Sequence, residues 1–377
     1  MATSAAFPGP LAPTAASLDP ELVRLVQRAV PAARVQRAHV LGADDCAEPK
    51  QATAKAVGYG VVIRIDADVA GVAKSFVLHG ASPNQFGHDR RADRAAEMLL
   101  AADTFALVPR HTRALDVGTF RADGTSVSLL DSGEFYLLTD YAPGHPYAED
   151  LRRIATTSRA EPDDLRRVTR LADYLATLHA ERRQEPFAYA RSLRDLFGSG
   201  EGIFGIVDGY AGGCPAAEAA RLERIEHACL QWRWKLKQRA PRLSRIHGDF
   251  HPFNVLFDAQ SELHVLDTSR GSLGDPADDV ACMAINYLFF ALEAPLSWSG
   301  AFAALWREFW QRYLTQSRDH ELLDVVAPYL AWRALVLACP AWYPSLGAPN
   351  RDRLLTFAEN ALGAERFEPD AAESVFG

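Results

Sequence analysis

The chain has 377 residues, more than the ~100 to 200 of a typical domain, so one large two-lobed unit or two domains is the starting expectation. Hydrophobic residues make up 48% and charged residues 23%, a balance that excludes disorder through most of the chain. A net charge of −8 has the wrong sign for a dedicated nucleic-acid binder and mainly keeps the protein soluble.

Residues 1–18 are rich in Ala, Pro and Ser and lack the basic start and continuous apolar core of a secretory signal, so they read as a disordered leader. No apolar run reaches the ~18 residues needed to span a bilayer, and no membrane partner is expected. The five cysteines are odd in number, widely spaced and without a Cys-x-x-Cys pair, which points to reduced thiols in a cytoplasmic protein.

Asp19-Pro20-Glu21 combines an N-cap, a proline at the first helical position and an acid in the first turn, and predicts a helix up to Pro31. Strands are predicted from Val35 to Gly42, Tyr59 to Ile65 and Ser75 to His79, with a polar loop of Ala, Lys and Thr between the first two. That loop holds Gly42 and Gly58, with Gly60 just beyond, but no Gly-x-Gly-x-x-Gly. Gly87 to Leu100 predicts an amphipathic helix, and Glu134 to Tyr141 an apolar strand ending in a polar step before the Pro143-Gly144 turn.

Leu165, Val168, Leu171, Ala172, Leu175 and Leu178 recur at helical spacing up to His179 and predict a buried helix. Residues 187–245 contain Gly198, Gly200, Gly202, Gly205 and Gly209 with Phe197, Phe204 and Tyr210, then a helix from about Pro215 to Lys237. This excursion is either the acceptor-selecting segment or a surface insertion. Helices are predicted again over Val280–Leu292, around Phe302 to Tyr313, and over Leu322–Leu337 and Arg351–Leu362. Trp298, Trp306, Trp310, Trp332 and Trp342 are read chiefly as packing.

Function concentrates between Ile246 and Val280. A loop closing on His247-Gly248-Asp249 presents one carboxylate to a substrate hydroxyl, and Asp249 is the candidate base for phosphoryl transfer. Val255 to Phe257 and Leu263 to Leu266 read as a hairpin around Asp258-Ala259-Gln260-Ser261, which returns Asp267 beside Asn254. A carboxylate and an amide oxygen suit Mg²⁺ arriving with a nucleotide better than zinc or copper. A zinc cluster of His247, Asp249, His251 and His264 leaves Asn254 and Asp267 unexplained, and His247 reads instead as a brace for the loop backbone.

The run His247-Gly248-Asp249-Phe250-His251-Pro252-Phe253-Asn254, then Leu266-Asp267, then Gly274-Asp275-Pro276-Ala277-Asp278-Asp279-Val280-Ala281 resembles the aminoglycoside phosphotransferase family of protein-kinase-like enzymes, over roughly residues 35–365. The resemblance implies an α+β, two-lobed fold: a small N-terminal β-sheet lobe with one main helix (19–140) and a larger, mostly helical catalytic and acceptor-binding lobe (141–377). Asp249 matches the catalytic aspartate and Asn254 and Asp267 the Mg²⁺ ligands, while Asp275 and Asp279 look structural, tying the metal-bearing loop to the next helix. The same resemblance places the 42–58 loop over the nucleotide phosphates and makes Thr139, Asp140 and Tyr141 the hinge whose backbone reads the base. It also expects a lysine where this chain has His79, with Lys74 on the opposite strand face. His79 either donates to a phosphate or packs under the loop, and Glu97, the lysine's usual partner, pairs with His79 or with an arginine of its own helix. The implied activity moves the γ-phosphoryl of ATP or GTP to a small-molecule hydroxyl. A metabolite kinase for a sugar, an amino alcohol or homoserine, and a pseudokinase that has lost activity with the lysine, stand beside it.

Overall fold

Asp19 starts the first helix as its position predicts: its carboxylate accepts the N–H of Glu21 at 2.7 Å, and α1 spans Pro20–Ala29. The computed structural model describes residues 18–41, 60–210, 214–268 and 270–376. The leader up to residue 17, Cys46 and the glycine-bearing loop with Gly42 and Gly58 lie outside the described residues. The chain divides into two units at Leu138/Thr139.

In the first unit β1 (Ala33–Val40), β2 (Gly60–Val69) and β3 (Val72–Ala81) form an antiparallel sheet in that order. Ala70 and Gly71 both take positive φ between β2 and β3, the backbone of a tight two-residue hairpin. Ile63, Ile65 and Ala67 alternate onto one face of β2 and bury with Leu22 and Val26 of α1 and with Ala33. The cross-strand partners Val62 and His79 sit on the other face, while Lys74 pairs with Ala67 on the core side.

Helix α2 spans Arg91–Thr104 and buries none of its residues. The predicted apolar stripe is only half-covered at Met98 and Leu99 and open at Leu100, because helical spacing sets which residues share a face and not what lies against it. A small hairpin, β4 (Gly118–Phe120) and β5 (Ser126–Ser128), is tied to α1 through Glu21, whose Oε1 accepts the N–H and O–H of Ser126 at 2.7 and 2.6 Å. The strand predicted over Glu134 to Tyr141 is not formed: the segment pairs with no strand among the described residues and its side chains are exposed. β-propensity needs a partner edge to become a strand.

The second unit opens with β6 (His145–Pro146), α3 (Tyr147–Thr157) and α4 (Pro162–His179), which buries Val168, Leu171, Ala172 and Leu175 as its spacing predicts. The glycine-rich excursion is not a surface insertion. It folds into α5 (Pro186–Gly198) and α6 (Ile203–Asp208), whose Tyr189, Leu193, Phe197 and Ile206 enter the main core, and is followed by α7 (Ala219–Leu236). After β7 (Ser244–Arg245), β8 (Val255–Phe257) and β9 (Leu263–Val265), β10 (Leu273–Gly274) pairs back to β7.

Helix α8 (Ala277–Leu292) is buried on nearly every side and forms the axis of the unit, flanked by α9 (Ala303–Ser317). The helix predicted over Leu322–Leu337 is broken into α10 (Leu322–Val325) and α11 (Ala327–Ala338), because Pro328 cannot donate to the preceding turn and so starts a new helix. Helix α12 (Ala348–Gly363) closes against α11. Trp298, Trp306, Trp310 and Trp332 are packed as expected, whereas Trp342 is exposed. Among the described residues no helix is long and apolar enough to cross a membrane.

Candidate active site

The loop from Ile246 to Asn254 joins β7 to β8 and is pinned from below by one carboxylate. Asp279, in the first turn of α8, accepts the N–H of His247 at 2.7 Å and of Gly248 at 2.8 Å. His179 at the end of α4 lies 3.1 Å from the same carboxylate through Nε2, while its Nδ1 is 2.8 Å from the Tyr313 hydroxyl. Burial pushes the Asp279 carboxyl up, but His179 and the two backbone donors outweigh it and hold the group below the usual carboxylate range.

Gly248 takes φ +86, and a Cβ there would meet the Gly271 carbonyl oxygen at 2.7 Å, so the turn requires glycine. His247 braces the loop as expected: its Nδ1 accepts the Asp249 N–H at 3.3 Å and its ring stands edge-on to Phe250. Asp275 does its tying one residue before Pro276. It accepts both forks of Arg242 at 2.9 and 3.0 Å, the Ala277 N–H and the Tyr189 hydroxyl, and Arg242 also grips Asp319.

The hairpin brings the motif ends together. Val255 pairs with Val265, and the Leu266 N–H donates to the Asn254 carbonyl at 2.8 Å, which puts Asp267 one residue past Asn254's partner. The Asn254 side-chain Nδ2 donates to the Asp249 carbonyl at 3.1 Å, so the amide is oriented by the loop that carries Asp249. Asp267 is exposed and left-handed at φ +56, a conformation that Asp tolerates better than most residues. An amide oxygen and a carboxylate held this way are hard oxygen donors and fit Mg²⁺. No group of three or more His, Cys, Asp or Glu able to hold a metal occurs among the described residues.

Asp249 itself is flanked by cations that the sequence reading missed. Arg270 donates to its Oδ1 and, through Nε, to the Gly248 carbonyl at 3.1 Å. Arg333 of α11 donates Nη1 to the same Oδ1 at 2.9 Å and Nη2 to Asp278 at 2.7 Å. The Trp332 ring lies 3.9 Å from the Arg333 guanidinium and 4.8 Å from that of Arg270. Burial pushes the Asp278 carboxyl up against the pull of the two arginines. His251 Nε2 stands 3.6 Å from Asp249 Oδ2, and burial holds its imidazole below the ordinary range. Its Nδ1 accepts the Phe253 N–H at 3.1 Å. Arg333 had one visible signal, a lone charge inside an otherwise apolar helical run.

The residues predicted for the donor are placed differently. His79 is exposed on β3, and Glu97 pairs neither with His79 nor with an arginine but with His88, Nδ1 to Oε2, at 2.9 Å. The nearer turn of chain won: His88 enters the helix that carries Glu97, whereas His79 sits on a strand. Thr139, Asp140 and Tyr141 lie in neither helix nor strand and are exposed.

A profile described as the phosphotransferase enzyme family matches residues 89–318, more than half of the chain. The chain belongs to that family, and its α+β fold is of the protein-kinase-like kind. No curated protein matches it in sequence. Among solved structures it is similar to a glucosamine kinase at 18% identity and TM-score 0.39, covering 57% of this chain and 54% of that one. The chain thus spans about half the length of that kinase. It is also similar to the choline kinase LicA from Streptococcus pneumoniae (14%, TM-score 0.34, 90% and 98% covered). A third is the ADP-bound aminoglycoside phosphotransferase APH(2'')-Ib (13%, TM-score 0.33, 92% and 97% covered).

Proposed function

We propose that this chain moves the γ-phosphoryl of ATP or GTP to a hydroxyl of a small molecule. The observation that carries the reading is the junction of Asn254 with both its neighbours, its side chain on the Asp249 carbonyl and its own carbonyl on Leu266, next to Asp267. Asp249 accepts or orients the proton of the attacking hydroxyl. Asn254, through the oxygen its amide nitrogen does not use, and Asp267 would hold Mg²⁺. The ion, when bound with the nucleotide, neutralises charge on the phosphates. His247, Asp275 and Asp279 keep the loop in place, so that catalysis rests on alignment. We assign His79 and Glu97 to the donor phosphates and the backbone of Thr139, Asp140 and Tyr141 to the base. Free thiols at Cys214, Cys229, Cys282 and Cys339 support a cytoplasmic setting.

One observation favours a second reading, a nucleotide-binding pseudokinase: histidine stands in the lysine position, and Glu97 is engaged by His88. The two are separated by thermal shift with ATP, GTP and Mg²⁺, followed by product detection over a panel of sugars, amino alcohols and aminoglycosides. The expected result is Mg²⁺-dependent stabilisation by nucleotide and turnover that Asp249→Asn abolishes without unfolding the chain. Turnover surviving in that variant refutes the assignment of the base, and binding with no transfer to any acceptor supports the pseudokinase.

A further inference from the structure

The donors around Asp249 are distributed unevenly over its two oxygens. Arg270, Arg333 and, more distantly at 3.9 Å, the Cys282 thiol all address Oδ1. Among the described residues Oδ2 faces His251 Nε2 alone, at 3.6 Å, beyond hydrogen-bond distance. One oxygen is therefore held and the other left for a further partner. Arg270 follows Asp267 by three residues, but Arg333 comes from the middle of α11, 84 residues from Asp249. Its side chain is only 7% exposed, and a guanidinium is retained at such depth only if carboxylates and carbonyls meet it. Asp278, in the first turn of α8, anchors its far fork at 2.7 Å, so Arg333 is a strut from α8 to the loop carboxylate.

On the phosphotransferase reading given above, we propose that Arg333 is a positioning residue: it fixes Asp249 Oδ1 so that Oδ2 faces the acceptor hydroxyl. It touches no reacting atom. Its effect passes through the rotamer of Asp249, with Asp278 as the counter-anchor and Trp332 as the platform. A purely structural arginine would instead serve only to neutralise Asp278, and its loss would lower stability without slowing the folded enzyme.

The test uses the full chain with Mg²⁺ and ATP, water standing in for the acceptor, and follows ADP release alongside calorimetric ATP binding. Arg333→Ala is expected to lower kcat about 10²-fold with the KM for ATP within about twofold, since misplacing a catalytic group costs on this order. Added guanidinium ion should restore part of the rate. Because Arg333→Ala strands Asp278, the double variant Arg333→Met with Asp278→Asn removes both buried charges together, and it should be equally slow while melting close to wild type. A folded double variant turning over at the wild-type rate overturns the proposal. A wild-type chain that neither binds nor hydrolyses ATP or GTP overturns the phosphotransferase reading, and this inference with it.

Discussion

Asp279→Asn tests how the catalytic loop is held. The carboxylate accepts two backbone N–H groups at 2.7 and 2.8 Å and contacts His179 at 3.1 Å, with no solvent to replace any of them. Hydrogen bonds to a charged group contribute about 1.5–3 kcal/mol each, and an asparagine keeps one acceptor oxygen while turning an N–H₂ toward a donor. The net loss should be about 3 kcal/mol, or roughly 6–12 °C in Tm for a unit of this size. All seven tryptophans lie at or beyond Trp232, so urea denaturation followed by tryptophan fluorescence reports the second unit alone. The pH dependence gives an independent check. The folded carboxyl titrates below its unfolded value of about 3.9, so its contribution is complete above that pH and is lost as pH falls through the lower folded value. The gap between wild type and variant should therefore be constant near neutrality and close in acid. A variant within about 0.5 kcal/mol of wild type at pH 7, or a gap that persists below the folded titration, refutes the reasoning.

Gly248→Ala should cost more than the ~1–2 kcal/mol of a left-handed alanine, because its Cβ also meets the Gly271 oxygen at 2.7 Å; the loss is read as urea midpoint and as kcat. Arg242→Met leaves Asp275 and Asp319 buried without their cation and is expected to destabilise by about 3–5 kcal/mol, measured by thermal unfolding. His79→Lys should tighten nucleotide binding by calorimetry if the donor phosphates meet that strand, and unchanged affinity would remove His79 from the site.

The juxtaposition of Asp249, Asn254 and Asp267 was legible in the sequence because its geometry is local. Asp249 and Asn254 are five residues apart, and a hairpin with a four-residue turn can only return Asp267 beside them. The α1 cap and the α4 stripe were legible for the same reason: each is set by neighbours in sequence. The partner of Glu97 was mispredicted because it was inferred from a family pattern, whereas His88 lay nearer. The strand over 134–141 failed because apolar composition cannot supply an edge to pair with. The glycine-rich stretch left a surface insertion open because glycine weakens a helix without forbidding one when a core is there to bury it.

The amino-acid order by itself pointed to the proposed base, the candidate metal oxygens and the hairpin that sets them side by side, since these depend on spacing along a few dozen residues. Only the tertiary structure decided what surrounds Asp249. Arg333 meets it, with Asp278 on the arginine's other fork, because α11 packs on α8, and buried charge is stable only where distant elements bring its counter-charge within hydrogen-bonding reach, a condition that no local pattern encodes.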